Sequence, residues 1–245
     1  MLRRLMRTIQ KGEGGITGLE TAIILIAFVV VAAVFAYTVL SAGLFSTQKS
    51  QEAVYSGLEE TRSTLELRGG VTAYKTANAD VHNSDGSALD NTTCDIVTRI
   101  QFIVTNTLKG EPIDLHPSYT GDATNGITPS APDEHTTIIS LHDQNVHLTD
   151  CAWTVDFLGS DTGDYLLEQN EKAQITVFVV NNDGGTWKLG PSGSTTFYSD
   201  DEDTNPTKLI DTDHTFTIEV KPAAGAVLTI ERTTPSYLDE VMDLH

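Results

Sequence analysis

The stretch Gly14-Gly15-Ile16-Thr17-Gly18-Leu19-Glu20, followed by an apolar run from Ala22 to Leu40, divides the chain into unlike parts. Before it lie Arg3, Arg4, Arg7 and Lys11, and after the run come about two hundred residues that are acidic and rich in alternating apolar patterns. As a helix the 19 residues of the run extend about 28 Å, close to the hydrocarbon thickness of a bilayer. That is transmembrane length, longer than the 7 to 15 apolar residues of an ordinary secretory signal. Such a signal would also be cut on the far side of the run. Ser41-Ala42-Gly43 keeps that reading open, but the sharper candidate lies before the run, at Gly15-Ile16.

Working outward, the helix is expected to continue beyond the bilayer, because no proline occurs before Pro112 and Gly69-Gly70 is the first strong stop. A helix over 16–68 would be a rod of about 80 Å. Its first half is apolar on all sides. In its second half Val54, Leu58, Thr61 and Leu65 recur at helical spacing while Glu52, Glu59, Glu60 and Arg62 occupy other faces, so one stripe is available for packing. Ala32, Ala33, Ala36, Ala42 and Gly43 permit close helix approach, and Phe28, Phe35, Tyr37 and Phe45 supply bulk between helices. A single-span anchor would show the same residues.

From Val71 the period becomes two. In Ile96–Val104 the residues Ile96, Thr98, Ile100, Phe102 and Val104 share one face. Similar runs occupy 136–141, 152–158, 173–180, 194–198, 214–220 and 226–231, separated by Gly, Pro, Asn and Asp clusters. The polar segments 78–92 and 117–135 are expected to be loops. Strands at this density predict an α+β chain: a long hydrophobic N-terminal α-helix, then an antiparallel β-sandwich of immunoglobulin-like kind over 71–245. Residues 236–245 are expected to form either a short helix, with Leu238, Val241 and Met242 inward, or a loose tail.

Composition limits function. With 34 acidic against 15 basic residues and a net charge of -19, the chain repels phosphate backbones, which argues against nucleic-acid binding. No G-x-S-x-G elbow, phosphate-binding glycine loop or HExxH is present in the sequence, so no enzyme activity is expected. Asp200, Asp201 and Asp203, in an acidic run with Glu202, are weak candidates for a structural Ca²⁺, the alternative being a solvated loop; no other cofactor is expected. Asn91-Thr92-Thr93 is a glycosylation sequon in a polar segment. Cys94 and Cys151 lie in the part expected to be exported, where a pair is usually a disulfide, with two reduced buried cysteines as the alternative.

The N-terminus resembles the class III signal of type IV pilin-like proteins: a short basic leader, glycine, an aliphatic residue, glutamate at the fifth mature position, and an unbroken apolar helix. Within that superfamily, Ile16–Ala22 through Phe28–Phe35, with Ser46–Glu52, is similar to the N-terminal helix of archaellins, the archaeal flagellins. Phe216–Pro222, Gly225-Ala226, Ile230–Thr233 and Pro235 resemble their tail. The resemblance implies a leader over 1–15 removed by a prepilin-like signal peptidase between Gly15 and Ile16, with Gly14 as the alternative cut. It also implies an assembly helix over 16–68 and a transient stay in the membrane. Glu20 would meet the new α-amino group of Ile16, or else sit at the headgroup level near the positive end of the helix. The expected function is a structural subunit of an extracellular archaellum filament that drives swimming. Its partners would be identical or sibling subunits, an assembly ATPase and a membrane platform protein. The competing readings are a type IV-like adhesion pilin and a membrane-anchored extracellular binding domain.

Overall fold

The computed structural model describes residues 14–62, 64–76, 81–87, 95–106, 111–131, 135–159, 162–191, 193–199 and 209–244. The chain divides into two compact units, residues 1–57 and 58–245.

Helix α1 (Gly14–Arg62) runs for 49 residues, about 74 Å. Its hydroxyls do not interrupt it, because Thr21, Thr38 and Thr47 each donate from Oγ1 to the carbonyl three residues back, at 3.0, 2.8 and 2.9 Å. The helix ends at Arg62, earlier than Gly69-Gly70 suggests. Leu65 satisfies two periods at once: it extends the stripe of Val54, Leu58 and Thr61, and it also begins the alternation Leu65-Glu66-Leu67. The second wins, since strand β1 (Leu65–Leu67) pairs antiparallel with Val104–Asn106 and buries Leu65.

The largest sheet carries, in order, β10 (Ala152–Phe157), β12 (Lys172–Phe178), β4 (Ile96–Asn106), β2 (Val71–Thr76) and β17 (Val241–Leu244), with β1 added to β4; every pairing is antiparallel. A second sheet runs β16 (Leu228–Thr233), β15 (Thr215–Lys221), β8 (Ile138–His142) and β9 (His147–Leu148), again antiparallel. The inner faces meet in one core. Val71, Ala73, Ile100, Phe102, Ile175 and Val177 from the first sheet cluster with Ile139, Leu141, Phe216, Ile218, Val220 and Ile230 from the second. Strict alternation produces this: in β15, Phe216, Ile218 and Val220 are buried while their neighbours face outward. The β-sandwich expected from the pattern is therefore present.

Three smaller sheets decorate it: β5 (Ile113–Asp114) with β11 (Leu166–Leu167), β6 (Tyr119–Asp122) with β7 (Gly126–Pro129), and β13 (Asn181–Asp183), β14 (Thr186–Lys188) and β3 (Val81–His82). The β14–β3 pair is parallel, a departure from the all-antiparallel expectation.

Three local expectations need correction. Residues 117–135 are not simply a loop, because Asp122 Oδ1 accepts from the amides of Thr124 and Asn125, both at 2.7 Å, and folds 119–129 into a hairpin. Gly121 and Gly126 take positive φ there, and a Cβ on Gly126 would come within 2.4 Å of the Gly184 nitrogen. Residues 194–198 do not form a strand: Ser194 Oγ accepts from the amides of Thr196 and Phe197 and curls the segment while Phe197 and Tyr198 stay buried. The C-terminus is neither helix nor loose tail. It adds β17 to β2, placing Met242 and Leu244 in the core and leaving Val241 outside. Alternating burial with period two overrides the weak helical spacing of Leu238, Val241 and Met242.

Candidate functional site

The feature that sets this chain apart is the surface of α1. From Leu19 to Phe45 every large apolar side chain is at least half exposed: Phe28 72%, Phe35 69%, Tyr37 74% and Phe45 63%. These four residues do not share a face, and the aliphatic residues before and among them, Ile23–Ile26 and Val29–Val31, are exposed as well. A helix of this composition is stable only where water is excluded, in lipid or among other helices. The back-bonded threonines fit that demand, since their hydroxyls are satisfied within the helix and bring no unpaired donor into a dry environment. The segment is long and apolar enough to cross a membrane. Gly18 and Gly43 have nothing within 4 Å of an added Cβ, so each is a point where a neighbouring backbone can approach. The apolar surface gives way to polar residues at Lys49, whose Nζ pairs with Glu52 at 2.6 Å.

Gly15 and Ile16 lie in the first turn of α1, and Glu20 follows one turn later on the exposed helix. Glu20 is four positions on from Ile16 along the helix, the spacing of one turn. Asn91, Cys94, Asp200, Asp201 and Asp203 lie outside the described residues. Cys151 is fully buried and carries a free thiol, pushed up to about 12 by burial. The disulfide expected between Cys94 and Cys151 falls outside the described residues at its Cys94 end. No group of three or more His, Cys, Asp or Glu is arranged to hold a metal ion among the described residues.

Sequence reasoning missed one cluster in the second unit. Asp143, at the turn between β8 and β9, has a fully buried side chain. Its Oδ1 accepts from the amides of Asn145 at 2.6 Å and Val146 at 2.8 Å, and its Oδ2 accepts from the Tyr198 hydroxyl at 2.9 Å. His214 Nε2 lies 3.0 Å from the same Oδ2, and its Nδ1 is 3.6 Å from Asp211. Burial works against the Asp143 charge, but hydrogen bonds from His214, the two amides and Tyr198 outweigh it and hold the carboxyl below its ordinary range. The hydrogen bond to Asp143 raises His214 above its ordinary value against the opposing effect of burial, helped by the charges of Asp143 and Asp211. Burial, then the Asp143 charge, raises Tyr198 well above the usual phenol range. Every partner of the carboxylate is used, so the cluster fastens three separate segments and leaves no open position for a reacting group. Asp143-Gln144-Asn145 carried a turn signal, but nothing local announced partners at 198 and 214.

The exposed apolar helix and the β-sandwich define a subunit that must bury its helix in lipid or among other helices. A model of archaeal-type flagellin matches residues 15–232. The chain is 35% identical over 240 residues to probable flagellin 1 of Archaeoglobus fulgidus, covering 96% of each chain. It is 30% identical over 235 residues to probable flagellin 1 of Aeropyrum pernix, covering 91% of this chain and 93% of that one. Among solved structures it is similar to the archaeal flagellum of Methanospirillum hungatei strain JF1, with a TM-score of 0.50 and 25% identity over 93% of this chain and 98% of that one. The chain belongs to the archaeal-type flagellin family and is a structural filament subunit.

Proposed function

We propose that this protein forms the filament of an archaeal flagellum by burying α1 among the α1 helices of neighbouring copies, with the β head outside. The observation that carries this is the exposure of apolar side chains around the whole helix from Leu19 to Phe45. Removing such a surface from water contributes roughly 25 cal/mol per Å² of apolar area, ample to hold a bundle together.

Before assembly the same surface holds the precursor in the membrane, with the four cations of the leader on the cytoplasmic side. A prepilin-like peptidase cuts between Gly15 and Ile16 and removes those charges. The new α-amino group then lies one turn from Glu20, on the same chain or a neighbour, and the pair neutralises a carboxylate that is otherwise costly beside lipid. The chain supplies no energy of its own, so an ATPase and a membrane platform protein drive extraction and rotation, and the filament serves swimming.

Electron microscopy and N-terminal sequencing of sheared surface filaments test this. Filaments built of this protein and starting at Ile16 are expected. Filaments lacking it, or assembled protein starting at Met1, would refute the reading. A bulky residue at Gly15 is expected to leave an unprocessed, membrane-bound precursor and non-motile cells.

A further inference from the structure

The outward face of the largest sheet carries a groove. The β6–β7 hairpin covers one end of that face, packing Ile127 and Ala123 against Ala152 and Phe178, and the remainder stays open. Two adjoining cavities of about 550 and 240 Å³ share Tyr74, Arg99, Ala123 and Thr124 in their walls.

Arg99 stands at the centre. It lies opposite Tyr74 on β2 and opposite Phe178 on β12. Its guanidinium sits 4.2 Å from the centroid of the Tyr74 ring. The ring is itself anchored, because its hydroxyl donates to Gln101 Oε1 at 2.9 Å and Gln101 Nε2 donates to Thr176 Oγ1 at 3.1 Å. The ring face tethers the guanidinium over Tyr74, and among the described residues none of its N–H donors is taken. A planar edge with two parallel N–H donors matches a carboxylate.

Among the described residues no carboxylate uses that edge. Among the described residues Arg68, Lys75, Lys188 and Lys221 pair with Glu66, Asp95, Asp183 and Glu219. Arg232 donates to the carbonyls of Leu244 and Glu231. Among the described residues Arg99 has no ion-pair or hydrogen-bond partner, although the chain has 34 acidic residues against 15 basic ones. Three carboxylates border the groove: Asp122, Asp156 and Glu240. Asp122 is spent on the amides of its own hairpin turn, and Asp156 and Glu240 lie beyond the 4.0 Å limit of a salt bridge to Arg99. A half-buried cation in so acidic a chain, held in place yet unmet, is an incomplete contact.

We propose that this groove is an intersubunit carboxylate site, in which Arg99 donates two N–H bonds to an aspartate or glutamate of a neighbouring copy. The inference rests on the filament reading. A neighbouring head is favoured over a small free acid by its local concentration in a filament.

Sheared filaments of wild type, R99Q and R99K test the site by their dissociation rates at rising ionic strength. Wild-type filaments must form for the comparison to exist, so their absence would speak against the filament reading and not against the groove. R99Q filaments are expected to assemble but to dissociate about tenfold faster at low salt, the scale of one charge-assisted pair, with the difference shrinking as salt screens it. R99K is expected to fall between. The unassembled full-length chain in detergent should unfold at the same temperature in R99Q as in wild type. Equal dissociation rates for R99Q and wild type would overturn the proposal. A matching loss of stability in the unassembled variant would overturn it too, since Arg99 would then serve its own head. Acetate at matched ionic strength gives the third arm. If it protects the unassembled wild type but not R99Q from unfolding, while both filaments dissociate alike, the groove serves a free carboxylate instead of a neighbour.

Discussion

Replacing Asp143 with alanine is expected to destabilise the head more than any loss of surface charge. The carboxylate is fully buried and holds four groups: two turn amides, the Tyr198 hydroxyl and the His214 imidazole. Removing one partner of a buried ion pair costs about 3–5 kcal/mol, because the groups left behind have no water to turn to. For a unit the size of 58–245, at about 2–4 °C per kcal/mol, this predicts a fall in melting temperature of about 6–20 °C. D143N keeps an oxygen for the turn amides but puts an NH2 that cannot accept where Oδ2 took the Tyr198 hydroxyl and faced His214, so it is expected to cost less than D143A only by the turn bonds it retains. The pH profile gives a second signature. Asp143 titrates below its ordinary value in the folded head, so its contribution is complete above about pH 4 and fades as pH falls further. His214 titrates above its ordinary value, so its contribution is complete below about pH 6.5 and fades as pH rises through its folded value. The pair thus contributes most between these limits. Near-ultraviolet circular dichroism of the unassembled chain in detergent, melted from pH 3 to 9, reads both effects. A fall of less than 2 °C in D143A, or a D143N profile with the same curvature as wild type, would refute the assignment of a buried charged pair.

Phe35→Ser should act on assembly alone. The side chain is 69% exposed in the single chain, and losing the burial of one phenylalanine per subunit is expected to raise the subunit concentration needed for a filament by about tenfold or more, with the head melting unchanged. Sedimentation of assembled material measures it, and unchanged assembly would show that this face of α1 is not buried. Gly126→Ala places a Cβ at φ +96° and 2.4 Å from the Gly184 nitrogen, and is expected to destabilise the head by about 2 kcal/mol or more, read as a lower melting temperature. The thiol of Cys151 is expected to resist alkylation in the folded head and to react once it is unfolded, because burial both hides it and raises its titration. If labelling after unfolding requires a reductant, Cys94 closes a bridge onto it.

The parts of the fold legible in the sequence are those where one period runs without competition. β15 alternates cleanly over its length and β4 over Thr98–Val104, and each buries there the face its pattern gives. Leu65 shows where legibility ends: it fits a helix when counted from Val54 and a strand when counted to Leu67, and only the partner residues Val104–Asn106, forty positions away, decide. Residues 241–244 are the same case at the other terminus, decided by the open edge of β2. Local hydrogen bonding sets the remaining differences, since Ser194 and Asp122 bend the chain with side-chain oxygens that a hydrophobic pattern does not register. The long N-terminal helix was legible because its chemistry is contiguous: an apolar run with no proline in it. Arg99 was not, because what distinguishes it is a missing partner. Its strand neighbours Thr98 and Ile100 mark it as outward-facing, which is the ordinary place for an arginine. The contact with Tyr74 and the pairing of Arg68, Lys75, Lys188 and Lys221 exist only in three dimensions. The two surfaces divide the work of a filament accordingly. The apolar helix supplies attraction without direction, since it is greasy on every side, while a planar guanidinium held over a tyrosine ring has one acceptable approach. A polymer held by helices alone has no polar contact to choose among the rotations of one subunit against the next, and a head contact of this kind removes that freedom.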